Sequence, residues 1–80
     1  MARVLLFGRL RDLAGWRERV FEPAESLSAL KAMIRLADAG LADALEGPGV
    51  QAAIDKALTR GDAALRPGAE VAFLPPMSGG

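Results

Sequence analysis

Hydrophobic positions along this chain switch between two periods. Arg3-Val4-Leu5-Leu6-Phe7-Gly8 is a short, nearly continuous apolar run closed by glycine, which predicts a strand in the middle of a sheet. In the next segment Leu10, Leu13 and Ala14 fall at i, i+3 and i+4, predicting one or two helical turns closed by Gly15. Arg17-Glu18-Arg19-Val20-Phe21-Glu22 runs from charged to apolar and stops at Pro23, a second strand placed to pair antiparallel with the first through a bulging connection. The helical period then returns in Leu27, Leu30, Ile34 and Ala37, with Ser26 as N-cap and Gly40 placed to end the helix.

Beyond Gly40 the pattern is weaker. Leu41, Ala42 and Leu45 extend to a short turn before the breaker-rich loop Glu46-Gly47-Pro48-Gly49. Val50 to Asp55 reads as a third strand, with a helix left open by its alanine content. Leu58 and Thr59 suggest a short strand, and Arg66-Pro67-Gly68 turns the chain into a last strand at Glu70–Leu74, after which Pro75-Pro76 blocks ladder pairing. This order predicts an α+β domain over residues 1–74, one long helix packed across a sheet of four to five strands, followed by a flexible tail at 75–80.

Composition narrows the chemistry. With 51% hydrophobic residues and ten basic residues balancing ten acidic ones, the chain reads as a soluble globular protein, and a neutral balance argues against nucleic acid as a partner. No apolar run reaches the ~20 residues of a membrane span, so the cytoplasm is the expected compartment. There is no Cys and no His. Thiolate nucleophiles, imidazole bases and the usual zinc ligands are therefore missing, and no pair of carboxylates has the spacing of a calcium loop, so no metal site is expected.

The candidate chemistry lies at the end of the chain. Pro75-Pro76 stiffens the exit from the last strand, and Met77-Ser78-Gly79-Gly80 continues to a carboxylate. Two glycines in succession let a backbone thread a narrow channel and approach a phosphate closely. The chain has no phosphate-binding glycine loop of its own, so ATP and any catalytic groups would come from a partner.

Phe73-Leu74-Pro75-Pro76-Met77-Ser78-Gly79-Gly80 resembles the signature tail of the small subunit of molybdopterin synthase, and Gly68 to Ala72 is similar to that family's approach to its last strand. Val4 to Gly8 and Leu10 to Gly15 resemble its first strand and short helix, and Ala53-Ile54-Asp55 stands where its middle strand turns. Leu74 stands where an aromatic is frequent. The resemblance implies a ubiquitin-like β-grasp fold and a sulfur-carrier function. A ubiquitin-activating-like adenylyltransferase would join AMP to Gly80, a persulfide donor would supply sulfur, and the thiocarboxylate would act on cyclic pyranopterin monophosphate in the large synthase subunit. No cofactor would be bound by the chain itself; ATP would be used by the activating partner. Thiamine, cysteine or tRNA thiolation are the alternative pathways, and a β-grasp binding module or a tag conjugated to lysines is the alternative class.

Gly79 and Gly80 are thus the expected reactive residues. Phe7, Leu58 and Leu74 are candidates for an exposed apolar patch beside the tail, with core placement open for Phe7 and Leu74. Arg11 is a candidate partner contact or part of a solvated face with Arg9 and Asp12, and Pro75, Pro76, Met77 and Ser78 complete the expected partner-binding stretch. Trp16 is expected to cap the core, and the Leu27, Leu30 and Ile34 stripe to form it.

Overall fold

Alternation decides the strands. In Ala2–Leu6 (β1), Ala2, Val4 and Leu6 are buried while Arg3 is exposed, and in Glu70–Leu74 (β5) Val71 and Phe73 are buried between half-buried neighbours. The computed structural model describes residues 1–76. Two further strands of four residues, Glu18–Phe21 (β2) and Gln51–Ile54 (β3), and one of three, Ala57–Thr59 (β4), complete a five-stranded mixed sheet in the order β2-β1-β5-β3-β4. β1 pairs parallel with β5 and antiparallel with β2, and β3 runs antiparallel to both β5 and β4. This is the β-grasp architecture, with β1 in the interior of the sheet as its apolar run predicts.

Helices cover one face. Gly8–Ala14 (α1) ends on Gly15, whose φ of 83° is the left-handed cap that glycine supplies without strain. Leu27–Ala37 (α2) starts where Ser26 Oγ accepts the Ala29 N–H at 3.1 Å. A carboxylate acts there as well: Asp62 accepts from the Ser28 N–H at 2.9 Å and from Ser28 Oγ at 2.8 Å. Both bonds favour the charged carboxylate at the positive end of the helix, and they lower the Asp62 pKa. Leu27, Leu30 and Ile34 of α2 pack with Val4, Val71 and Phe73 in one core, and Trp16 is packed against that core from its rim.

Two expectations need correction. Gly40 does not end the long helix; Asp38 does, with extended backbone (φ −157°, ψ 93°), and its side chain then caps a third helix, Ala39–Leu45 (α3), by accepting the Leu41 N–H at 3.0 Å. Gly40 sits in the first turn of α3, where N–H groups need no intrahelical partner. The short turn expected at Leu41–Leu45 is thus a capped helix that buries Leu41, Ala42 and Leu45. The segment left open between strand and helix is β3, which pairs with a strand on each side and buries Ala52 and Ala53.

Candidate functional site

The sheet has a face away from the helices, and its registers decide what that face carries. Leu58 stands opposite Ala53, Ala53 opposite Ala72, and Ala72 beside Leu5. Residues paired across strands point the same way, so these four form one apolar row across β4, β3, β5 and β1. Leu74 lies two residues along β5 from Ala72, and Phe7 two along from Leu5 with its backbone still extended (φ −125°, ψ 153°), so alternation puts both on this face. Phe7 is 46% exposed and Leu58 62%, while Leu74 is half-buried. Neither Phe7 nor Leu74 belongs to the buried core. Phe7, Leu58 and Leu74 are therefore brought together as a patch, and the alanines between them keep its centre shallow.

The opposite end of the same face is charged. Arg3 donates to Glu18 at 2.9 Å and lies 3.8 Å from Glu70, and Arg66 clasps Asp55 through Nε and an Nη at 3.0 and 3.2 Å. The hydrogen bond to Glu18 raises the Arg3 pKa above its usual value, and the Glu70 N–H, with Arg66 beside it, lowers that of Asp55. The face thus runs from neutralised ion pairs to a mainly apolar surface at the exit of β5, bordered there by Glu18 opposite Leu5 and by the exposed Gln51 opposite Leu74. Arg11 is on the exposed surface of α1 with its guanidinium 3.8 Å from Asp12, the solvated arrangement, and it is not part of the sheet rows.

The exit itself is built from an interior strand. β5 is hydrogen-bonded on both sides, and Pro75 and Pro76 continue from it without the N–H that a ladder needs. Pro75 and Pro76 also line an open groove of about 550 Å³ with Leu10, Leu13, Ala44 and Val50. Gly8 touches Pro75, and Gly49 touches Pro76, closely enough that a Cβ on either glycine would overlap the ring. The sequence reading places Gly8 and Gly49 in a strand end and a loop and misses these contacts, because both join residues far apart in the chain. Their positive φ is local; the proximity of the prolines is not. Met77, Ser78, Gly79 and Gly80 lie outside the described residues.

Among the described residues no group of three or more Asp and Glu is arranged to hold a metal, and no helix is long and apolar enough to cross a membrane. What the arrangement offers is an exposed apolar face joined to a stiff exit.

Comparison with known proteins agrees in fold. The model of the ThiS family matches residues 4–80. The solution structure of small archaeal modifier protein 1 from Methanosarcina acetivorans is similar at a TM-score of 0.84 and 22% identity, covering 99% of this chain and 95% of the other. The crystal structure of the protein of the same name from Haloferax volcanii is similar at 0.72 and 21% identity, covering 99% and 98%. No curated protein sequence matches the chain.

Proposed function

The chain belongs to the ThiS family of ubiquitin-like sulfur carriers, and from that premise we propose that Gly80 is its reactive end, charged as a thiocarboxylate for molybdopterin synthesis. The observation that carries the reading is a family match running through Gly80, joined to a strand, β5, that sends the chain toward it from the interior of the sheet. Carriers of this type work with partner enzymes, and the sequence of this chain carries no glycine-rich phosphate loop with which to hold ATP itself.

The chemistry is balanced as follows. A carboxylate oxygen of Gly80 attacks the α-phosphorus of ATP, pyrophosphate leaves, and an acyl-AMP mixed anhydride forms. The terminal sulfur of a persulfide attacks the acyl carbon and expels AMP. A thiol reductant then cleaves the acyl disulfide, giving the thiocarboxylate and a disulfide. The adenylating enzyme, the persulfide donor and the large synthase subunit supply the catalytic groups. Cyclic pyranopterin monophosphate is the proposed acceptor because Phe73 to Gly80 resembles the molybdopterin synthase small subunit. Phe7, Leu58 and Leu74, with Pro75 and Pro76, would dock on those partners, and Met77 and Ser78 would lie in the channel.

A second reading uses the same activation and a different acceptor, a lysine amine, which displaces AMP and leaves an isopeptide. The fold shared with two proteins named as modifiers favours its inclusion.

Intact-mass spectrometry of the protein from its native host tests both. A mass gain equal to sulfur in place of oxygen, localised to Gly80, supports the carrier reading; Gly80 found joined to lysines of other proteins supports the modifier. An unmodified terminus after incubation with ATP, the adenylating enzyme and a persulfide donor refutes both. Sulfur transfer to cyclic pyranopterin monophosphate by the charged carrier and the large synthase subunit then tests the pathway.

A further inference from the structure

Two loops distant in sequence converge on the exit of β5. Gly8 opens α1 with φ +56°, and a Cβ there would stand 2.9 Å from Pro75 Cγ. Gly49 precedes β3 with φ +82°, and a Cβ there would stand 2.7 Å from Pro76 Cβ. Both separations are overlaps, so only hydrogen fits at either position. Gly15 and Gly61 show that a left-handed turn does not by itself require this: their φ values are +83° and +69°, yet a Cβ would meet nothing within 4 Å. The two glycines beside the prolines therefore satisfy a second demand besides their backbone conformation.

We infer that Gly8 and Gly49 are positioning residues, a two-sided seat into which Pro75 and Pro76 fit and which sets the heading of the chain beyond them. This rests on the reading of Gly80 as the reactive end, since heading matters only if that end must reach a partner's site. Proline makes the seat effective: with φ fixed by the ring, holding two successive rings leaves little freedom at the root of the tail. A fixed root narrows the volume that the remaining four residues can search: they span at most about 14 Å, and the end must come within the ~3–3.5 Å separation of reacting atoms.

The test compares Gly49→Ala and Gly8→Ala with Gly61→Ala, which carries the same left-handed penalty without a proline to strike. Two readouts are taken on the full chain. The first is a crossed pair of nuclear Overhauser contacts, Gly8 Hα to Pro75 Hγ read in Gly49→Ala and Gly49 Hα to Pro76 Hβ read in Gly8→Ala, so that neither is lost merely because its own hydrogen is replaced, with the amide spectrum and thermal melt as controls of folding. The second is pyrophosphate release from ATP by the adenylating enzyme encoded in the same genome, analysed as kcat and KM for the carrier. We expect Gly49→Ala to lose the Gly8–Pro75 contact and lower kcat by about 10–100-fold while Gly61→Ala keeps both near wild type. D-alanine at position 49, which accepts positive φ and directs its methyl away from Pro76, restores both.

Equal behaviour of Gly49→Ala and Gly61→Ala in the enzyme assay overturns the seat. So does absence of the contacts from the wild type, whatever the enzyme does. If the wild type shows the contacts yet no pyrophosphate release, the carrier reading fails, and loss of the Gly8–Pro75 contact in Gly49→Ala alone still supports the seat. Should Gly49→Ala not fold, Gly8→Ala and the D-alanine protein decide between the same outcomes.

Discussion

Leu58 separates docking from folding. It stands on the edge strand β4 with 62% of its surface exposed, so the fold uses little of it and a partner has most of it to cover. Full burial of a leucine side chain stabilises by about 1.5–3 kcal/mol, so the uncovered share corresponds to about 1–2 kcal/mol on docking. Leu58→Ala removes most of that and should weaken binding to the adenylating enzyme by about 5–30-fold. The same change should alter folding stability by no more than about 0.5 kcal/mol, a shift in melting temperature of about 2–4 °C at most. Calorimetric titration of the carrier into the enzyme measures the first quantity and a thermal melt the second. Unchanged affinity would refute the assignment of the open face as the docking surface. A melt lowered as far as by a core truncation would refute the account of Leu58 as a surface residue.

Four further outcomes follow from the same structure. Deleting Gly80 should abolish AMP transfer while leaving enzyme affinity within about twofold in the same titration, since the proposed anchors lie in the apolar patch. Leu30→Ala, at a fully buried position of α2, should cost about 2–5 kcal/mol in a urea denaturation series. Lys56 follows Asp55 in the β3–β4 turn, both at positive φ (72° and 49°); Lys56→Gly relieves about 1–2 kcal/mol of left-handed strain against about 0.5–1 of added chain entropy, so chemical denaturation should show a net gain. Asp62 has its pKa lowered by Ser28, so the folded chain binds fewer protons there than the unfolded one; the stabilisation is present above the ordinary carboxylate value of about 3.9 and lost as pH falls through the lowered folded value. Stability measured against pH should therefore fall less steeply on the acid side in Asp62→Asn.

Local signals account for most of what the sequence made legible. The glycine after α1, the Ser26 cap, the period of Leu27, Leu30 and Ile34, and the alternation of Glu70–Leu74 each act within a few residues, and each element stands where its signal put it. α3 was missed because Asp38 ends one helix and caps the next within a single residue, while nearby Gly40 offered the more familiar stop signal. β3 stayed open because alanine favours neither state strongly enough; its pairing with β5 and β4 decided it. For the candidate site, alternation nominated Phe7 and Leu74, with Leu58 beside them, but only the registers across four strands show that Ala53, Ala72 and Leu5 join them. The contacts of Gly8 and Gly49 with the prolines were illegible for the same reason: both link positions far apart in the chain, Gly8 and Pro75 lying near its two ends.

β5 ties these features together. Its alternation sends Val71 and Phe73 into the core and Ala72 and Leu74 to the open face, so the strand is fixed by burial on one side while it presents a contact surface on the other. Hydrogen bonding to β1 and β3 on both edges then prevents the strand from sliding, since a slip of one residue would exchange the buried and exposed sets. A chain leaving such a strand departs from a fixed point, and two prolines held by two glycines extend that definition beyond the last ladder bond. On the proposed reading of Gly80 as the reactive end, accuracy at the root of the tail is what the described residues of this domain would supply, the chemistry coming from a partner. Substitutions at Phe73 and Leu74, adjacent in sequence, should therefore act on different properties, folding for the first and docking for the second.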